Sequence, residues 1–213
     1  MKKMMILAVL LVSAAAAAQE TKTFYVNDER GRDVVTFISK APLETIVGKT
    51  SDAKGYVDVD INNVKSATSG KFEVDLASLK TGIDMRDGHM REQYLQTDKF
   101  PKAVFELTRV VEASNNIFED QKPARIVVEG NFTIHGVTKA LSIPLTITYF
   151  KESESTKNRL PGDLLHIEGT FDVLLSDHNI ERPQFVILKL DDKQKVNIDL
   201  FSATGLPPVE RAK

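Results

Sequence analysis

The stretch RIVVEGNFTIHGVTKALSIPLTITY, residues 125–149, decides the fold of this chain. In its first half, alternate positions from Ile126 to Ile134 carry apolar side chains or glycine, and in its second half the same alternation runs from Leu141 to Tyr149. A period of two is typical of a β-strand that buries one face. Between the halves, residues 135–138 (HGVT) have the chemistry of a tight turn. The stretch therefore predicts two long antiparallel strands joined as a hairpin.

The same alternation recurs along the rest of the chain. Its clearest further segments are GYVDVDI (55–61), KFEVDL (71–76), LHIEGTFDVLL (165–175) and KVNIDL (195–200). Weaker strands are predicted in DVVTFIS (33–39), LETIVGK (43–49) and AVFELTRVV (103–111). About nine or ten antiparallel strands with one apolar face each bury those faces in a sandwich or in a closed barrel. Two glycines inside strands, Gly130 and Gly169, favour the barrel, because sharply bent barrel strands use glycine at such positions.

The side chains on the predicted inner face are long, and many are aromatic. A barrel of about eight strands either fills with such side chains or retains a cavity for one ligand. The period of the sequence is compatible with both arrangements. If the lumen is hollow, the residues expected to line it are Phe72, Phe105, Phe132, Ile143 and Phe171.

The N-terminus has the pattern of a secretory signal peptide. In MKKMMILAVLLVSAAAAAQE (1–20), two lysines precede a short apolar run, and a tract of small residues follows. The apolar run is shorter than the roughly 20 residues that span a bilayer. We therefore expect a signal peptide at residues 1–18, one exported domain without a membrane span at residues 19–203, and a disordered tail at residues 204–213.

The composition argues against several classes of function. The chain has 28 Lys and Arg against 30 Asp and Glu, and it has no run of five or six basic residues that would indicate a nucleic-acid surface. It has no cysteine, which excludes a cysteine nucleophile and a lipoprotein anchor, and it has no G-x-S-x-G motif. Its four histidines are not paired at metal-ligand spacings. The sequence therefore predicts no catalytic residue, no metal site and no cofactor.

Residues 81–97 break the alternation and predict a short helix or a compact loop. Within them, MRDGHMRE (85–92) combines one histidine with two arginines and two acids. In a helix, Asp87 and Arg91 are four residues apart and form a favourable surface pair. One interpretation of the segment is a capping element whose charges pair locally. The other is that Arg86, His89 or Arg91 donates hydrogen bonds to the head group of a ligand.

Two motifs stand in a fixed order near the middle of the chain. The first combines RDGHMR (86–91) with Phe100-Pro101 and Phe105, and the second is the hairpin GNFTIHGVT (130–138). In this order and spacing, the motifs resemble the YceI-like family of exported polyisoprenoid-binding proteins. The resemblance implies an elongated, lipocalin-like antiparallel barrel whose hydrophobic lumen takes a long isoprenoid tail. It also implies a bacterial periplasmic setting and often a homodimer.

Together, the residues and the resemblance predict an all-β fold, a single elongated lipocalin-like barrel with a helical or loop insert at residues 81–97. The expected function is that of a periplasmic carrier, not an enzyme, for a long-chain isoprenoid, a quinone or a similar amphiphilic lipid. The insert then acts as a lid, and the residues expected to flank the ligand at the mouth are Met85, Arg86, His89, Met90, Arg91 and Tyr94. The alternative is a non-catalytic structural or stress-response module with a packed barrel that acts through protein partners.

Overall fold

The computed structural model describes residues 21–66, 69–182 and 190–209, and the predicted signal peptide lies outside these ranges. The strands are β1 (Thr21–Val26), β2 (Val34–Lys40), β3 (Thr45–Thr50), β4 (Ala53–Asp60), β5 (Ser69–Asp75), β6 (Lys102–Ala113), β7 (Pro123–Ile134), β8 (Val137–Phe150), β9 (Leu164–Leu174) and β10 (Lys193–Ala203). The helices are α1 (Asp84–His89), which continues as a π-helical turn (Met90–Tyr94), and α2 (Glu154–Lys157). In the part of the chain that the structure describes, every helix is too short or too polar to cross a membrane.

These strands form a closed antiparallel barrel with eight strand positions. Each strand from β4 to β10 pairs with the next, β1 pairs with β4, and Tyr25 of β1 pairs with Ala203 of β10 to close the ring. Farther along the same edge, β10 pairs with β2, and β2 pairs with β3. β1 and β2 therefore follow one another along the same edge of β10 and together occupy one of the eight positions in the barrel. In the same way, β3 and β4 together occupy the next position. The predicted all-β barrel is confirmed, and the sandwich that the alternation also allowed is excluded.

β7 and β8 form the predicted hairpin, in which Ile134 pairs with Val137. The two turn residues, His135 and Gly136, have φ angles of 52° and 73°. Positive φ at both central positions is the mark of a type I′ turn, whose twist matches that of paired strands. A Cβ atom on Gly136 would lie 2.7 Å from the ring of Phe100, so packing and conformation both require glycine there. The turn sets the register between β7 and β8.

β1 is the strand that the alternation did not predict. Its sequence is TKTFYV, in which Phe24 and Val26 are fully buried. Only these two inward side chains show the alternation of apolar and polar residues. So short a run does not distinguish a strand from the neighbouring sequence. Its pairing with β4 and β10, which the local sequence does not encode, closes the barrel.

The barrel has two ends that differ in their loops. We call one the closed end, where Val64 N–H donates to Asn116 O at 2.8 Å and Phe118 N–H donates to Ile61 O at 2.8 Å. Its loops are residues 61–66, 114–122, 151–163 and 204–206. We call the other the mouth end, and its loops are residues 41–44, 76–101, 135–136 and 175–182. The predicted helical insert lies at the mouth end and is confirmed as α1 with its π-helical turn.

The ordered chain continues past β10 at the closed end. The Thr204 N–H donates to the Asp163 carbonyl at 3.0 Å, and the Gly205 N–H donates to the Pro161 carbonyl at 3.1 Å. Leu206 packs against a small hydrophobic cluster beside β9. Residues 204–206 therefore lie against the closed end, and the boundary of the expected tail stays a prediction. These contacts join two loops that are distant in sequence.

Candidate ligand cavity

The interior of the barrel holds a cavity of about 560 Å³ that reaches from the mouth end toward the closed end. This volume is within the range of about 300–1,000 Å³ that is typical of small-molecule sites. The walls are almost entirely apolar. The lumen is therefore hollow, which removes the packed barrel on which the alternative function rested. The lining residues include all five that the sequence suggested, and their contact with a ligand stays a prediction: Phe72, Phe105, Phe132, Ile143 and Phe171.

Aromatic side chains from four strands form a continuous patch on the cavity wall. Phe72 on β5 pairs with Phe105 on β6, and Phe105 pairs with Phe132 on β7. Phe171 on β9 meets the Phe132 ring edge-on, with 6.3 Å between ring centroids. Edge-on contacts of this kind are favourable beyond the area that they bury. The contact between Phe132 and Phe171 therefore joins two strands of the cavity wall.

Glycines beneath these rings explain why the lumen stays open. A Cβ atom on Gly130 would lie 2.3 Å from the Glu106 carbonyl oxygen and 2.5 Å from the Phe105 ring. One on Gly55 would lie 2.5 Å from the Lys71 carbonyl oxygen and 2.7 Å from the Phe72 ring. Each ring therefore lies against the backbone of a neighbouring strand instead of projecting into the lumen. From the sequence, Gly130 was expected only to allow the strand to bend. The signal for its second role is an inward glycine next to a phenylalanine on the adjacent strand.

A plug of buried side chains seals the closed end. The Phe24 ring meets the Tyr149 ring edge-on, with 6.5 Å between centroids, and both residues are buried. The Tyr149 hydroxyl and the Lys22 Nζ each donate to Asp163 Oδ2 at 2.9 Å. Burial raises the pKa of Asp163, but these hydrogen bonds, the Glu152 N–H and the Lys22 charge outweigh burial and leave that pKa below its usual value. An ionised Asp163 thus fastens the strands around the plug.

The mouth end carries the lid, which we define as residues 81–95. Asp87 in the lid is buried, and its Oδ1 accepts from the Thr81 N–H at 2.8 Å and from the Thr81 hydroxyl at 2.5 Å. Burial raises the pKa of Asp87, but the Thr81 hydrogen bonds and the charges of Lys80 and Arg91 outweigh burial and lower that pKa overall. The expected surface pair of Asp87 with Arg91 was wrong, because Asp87 is buried and bonds to Thr81 instead.

Arg86 joins the lid to the hairpin of β2 and β3. Its Nε donates to Thr81 Oγ1 at 2.9 Å, and its Nη2 donates to the Thr81 carbonyl at 3.2 Å. Its Nη1 donates to Glu44 Oε2 at 3.0 Å, in the loop between β2 and β3. All three guanidinium nitrogens are thus engaged within the protein. The sequence suggested that Arg86 either pairs within the protein or binds a ligand head group. In this structure Arg86 pairs within the protein.

The other predicted mouth residues occupy three kinds of position. Met85 and His89 line the mouth and are exposed. Met90 and Tyr94 line it and also pack on a second hydrophobic cluster of Leu76, Leu79, Leu95, Ile134 and Ile180. Arg91 is half-buried outside the cavity lining, and its Nη1 has no hydrogen-bond partner among the described residues. The ligand contacts of Met85, His89, Met90 and Tyr94 remain predictions.

Two histidines hold the loops of the mouth end together. The buried His178 donates through Nδ1 to the Val137 carbonyl at 3.0 Å, and His135 donates through Nδ1 to the His178 carbonyl at 3.2 Å. Among the described residues, the histidine that lines the cavity is His89. Residues 21–66, 69–182 and 190–209 contain no group of three side chains arranged to hold a metal ion. The chemistry that the cavity offers is apolar contact.

Comparison with known proteins agrees with this architecture. A family model described as a YceI-like domain matches residues 25–201. A UPF0312 protein of Shewanella sp. strain ANA-3 is 32% identical over 146 residues, which cover 67% of this chain and 72% of that protein. A UPF0312 protein of Shewanella sp. strain MR-7 is 33% identical over 150 residues, with the same two coverages of 67% and 72%.

Solved structures share the fold at low sequence identity. BcnA of Burkholderia cenocepacia superposes with a TM-score of 0.64 at 16% identity, covering 82% of this chain and 99% of that one. A polyisoprenoid binding domain from Saccharophagus degradans, implicated in plant cell wall breakdown, gives 0.65 at 14% identity, covering 86% and 99%. A Campylobacter jejuni YceI protein gives 0.56 at 18% identity, covering 72% and 82%. The barrel is common to all three.

Proposed function

This chain belongs to the YceI family, and from that premise we propose that it binds a long-chain isoprenoid or a similar amphiphilic lipid in the barrel lumen and carries it in the periplasm. The observation that carries the proposal is the apolar cavity of about 560 Å³ behind a lid. The Saccharophagus degradans domain, described as polyisoprenoid binding, has the same fold and supports the choice of ligand class. The signal-peptide pattern of residues 1–18 supports export.

The physical chemistry of the cavity suits an apolar tail. Burying apolar surface contributes about 25 cal/mol per Å², so a tail that buries about 300 Å² gains roughly 7 kcal/mol before the costs of association. A charged head group finds no such gain in apolar walls, because burying an unpaired charge is unfavourable. The tail therefore occupies the lumen, and the polar head remains at the mouth near the lid. A prenyl lipid and a prenyl quinone both meet this description.

The proposed role is that of a binding protein and not of an enzyme. The lining residues supply contact surface, and the lid residue His89 is exposed beside the mouth without a described nucleophile or acid bonded to it. We therefore expect that His89→Ala abolishes no turnover. A hydrolytic or redox activity that disappears in this variant would contradict the proposal.

Mass spectrometry of organic extracts tests the proposal and identifies the ligand. The protein is purified natively from the periplasm without detergent, extracted, and compared with a periplasmic protein of similar size prepared in parallel. The expected result is one prenyl lipid or quinone per chain, absent from the parallel preparation. An extract without stoichiometric lipid, from a protein that also fails to take up added prenyl lipid, would overturn the proposal.

A further inference from the structure

Exposed hydrophobic side chains are concentrated beside the mouth. Among the described residues, six large hydrophobic side chains are exposed, and four of them lie on the β2–β3 hairpin and at the start of the lid. We call these four the rim: Leu43 (75% exposed), Val47 (49%), Ile83 (52%) and Met85 (73%). Single exposed hydrophobic residues need no explanation, but a cluster of them marks a surface that meets a partner.

The two segments of the rim form one surface. Arg86 of the lid donates to Glu44 of the hairpin at 3.0 Å. The backbone groups of Lys49 and Lys80 bond to each other in both directions, at 2.8 and 2.9 Å. Two rim residues, Ile83 and Met85, also line the cavity. The rim is therefore continuous with the opening through which a ligand enters the lumen.

On the two segments that carry the rim, residues 40–49 and 80–86, basic side chains outnumber acidic ones by four to two, although the whole chain has a formal net charge of −2. Lys40, Lys49 and Lys80 are exposed on the same two segments. The Glu44 carboxylate is paired with Arg86, which leaves Asp84 as the exposed acid at the start of the lid. Three lysines beside a hydrophobic cluster are complementary to a surface that is apolar inside and anionic outside.

From this arrangement we infer that the rim docks the protein on the surface of an anionic lipid bilayer, with the mouth facing the membrane. The inference rests on the proposed function, because a lipid with a long apolar tail resides in bilayers and must leave one to enter the lumen. Leu43 and Met85, the most exposed members, enter the boundary between head groups and acyl chains. The lysines contact lipid phosphates, and the tail passes from the bilayer into the cavity without crossing water.

Vesicle flotation with the mature protein tests the inference. Two kinds of vesicle serve as probes, at the same total lipid concentration. One contains phosphatidylcholine with about 30% phosphatidylglycerol, to represent an anionic membrane surface, and the other contains phosphatidylcholine alone. The wild type is expected to float with the anionic vesicles and to lose most of this binding in high salt. Leu43→Ser with Met85→Ser should reduce the bound fraction about tenfold, and Lys49→Glu with Lys80→Glu should remove the preference for anionic vesicles.

The matched control is Ile117→Ser, which removes an exposed hydrophobic side chain (46% exposed) from the loop between β6 and β7 at the closed end. It should bind vesicles as the wild type does. Equal binding by the rim variant and the control would overturn the inference, and so would a wild type that binds neither vesicle. A rim variant that instead dissociates a dimer in sedimentation, with vesicle binding unchanged, would show that a second copy covers the rim.

Lipid extracted from the same preparations separates this inference from the proposed function. A protein that carries lipid but does not float with vesicles contradicts the docking surface and leaves the carrier role intact. A protein that floats in a rim-dependent manner but takes up no lipid supports the docking surface and contradicts the carrier role.

Discussion

The closed end and the mouth end of this barrel are built from the same strands, but they bury their side chains differently. At the closed end, Phe24 and Val26 are fully buried, and an ionised Asp163 ties the surrounding loops together. At the mouth end, Leu43 and Met85 remain exposed beside a cavity. The difference indicates that the closed end supplies stability, while the mouth end supplies access to the lumen. Substitutions at the two ends should therefore separate stability from binding.

The largest expected effect is at the closed end. Phe24→Ala removes a fully buried ring from the plug and should lower the free energy of unfolding by about 3–5 kcal/mol. Met85→Ala at the mouth should change it by less than about 0.5 kcal/mol, because that side chain is mostly exposed. Chemical denaturation of both variants provides the measurement. Equal losses would mean that the two ends contribute alike to stability.

Asp33 extends the comparison to the seam where β1 and β2 meet along β10. Its Oδ1 accepts from the Phe201 N–H at 2.8 Å, while its Oδ2 is buried without a partner among the described residues. Burial raises the pKa of Asp33 to about 6. Between roughly pH 4 and pH 6 the folded protein therefore holds a proton that the unfolded chain releases, so stability should fall as the pH rises through this window.

A shift of about two pKa units corresponds to a change of about 3 kcal/mol in the free energy of unfolding. Asp33→Asn should remove the fall in the free energy of unfolding between pH 4 and pH 7. Chemical denaturation at these two pH values measures it. Asp87 and Asp163 have lowered pKa values, so their contributions are lost only on acidification below roughly pH 4, through the folded-state pKa values. An Asp33→Asn variant with the same dependence as the wild type would exclude Asp33 as its source.

The next effect concerns the glycines that keep the lumen open. In Gly130→Ala the added Cβ would meet the Glu106 carbonyl oxygen of β6 as well as the Phe105 ring, so the strand must shift and the ring must move toward the cavity. The variant should lower the free energy of unfolding by about 1–3 kcal/mol and reduce the lipid content of the folded protein. The matched control is Gly88→Ala in the lid, where an added Cβ meets no atom within 4 Å. Because alanine favours helix over glycine, the control should be neutral or slightly stabilising. Chemical denaturation measures the free energy of unfolding of both variants, and extraction measures their lipid content.

A smaller loss of stability than that of Gly130→Ala is expected from enlarging a side chain in the lumen. Phe171→Trp should narrow the cavity and reduce lipid binding, with a change in unfolding free energy below about 1.5 kcal/mol, because the ring borders empty space. Titration with a prenyl lipid, together with thermal unfolding, measures both quantities. A folded variant with undiminished binding would remove Phe171 from the residues that contact the ligand.

The sequence predicted those parts of the molecule that depend on local pattern. Alternation along residues 125–149 indicated both long strands, and the turn chemistry of His135-Gly136 set their register. The inward positions of Phe72 and Phe171 followed from the same period of two. In β1 the pattern failed, because a six-residue strand with two inward side chains owes its existence to pairing with β4 and β10.

The features that depend on distant partners could not be predicted from the sequence. Arg86 and Glu44 are 42 residues apart, and only the closed barrel brings the lid to the hairpin. Asp87 bonds to Thr81 only six residues away, but no pattern in the sequence indicates that the turn between them buries the carboxylate. The lumen is hollow because the phenylalanine rings lie against the barrel wall. The rings can lie there because neighbouring strands carry glycines, such as Gly55 beneath Phe72.

The central claim is that an apolar tail occupies the lumen, and photo-crosslinking tests it most directly. Lipid-free protein is loaded with a prenyl lipid that carries a diazirine near the end of its tail, irradiated and digested, and the labelled residues are mapped by mass spectrometry. We expect one label per chain, on inward residues of β5 to β9 such as Phe132 or Ile143. Labels confined to outward-facing residues, or a protein that takes up no lipid, would contradict it.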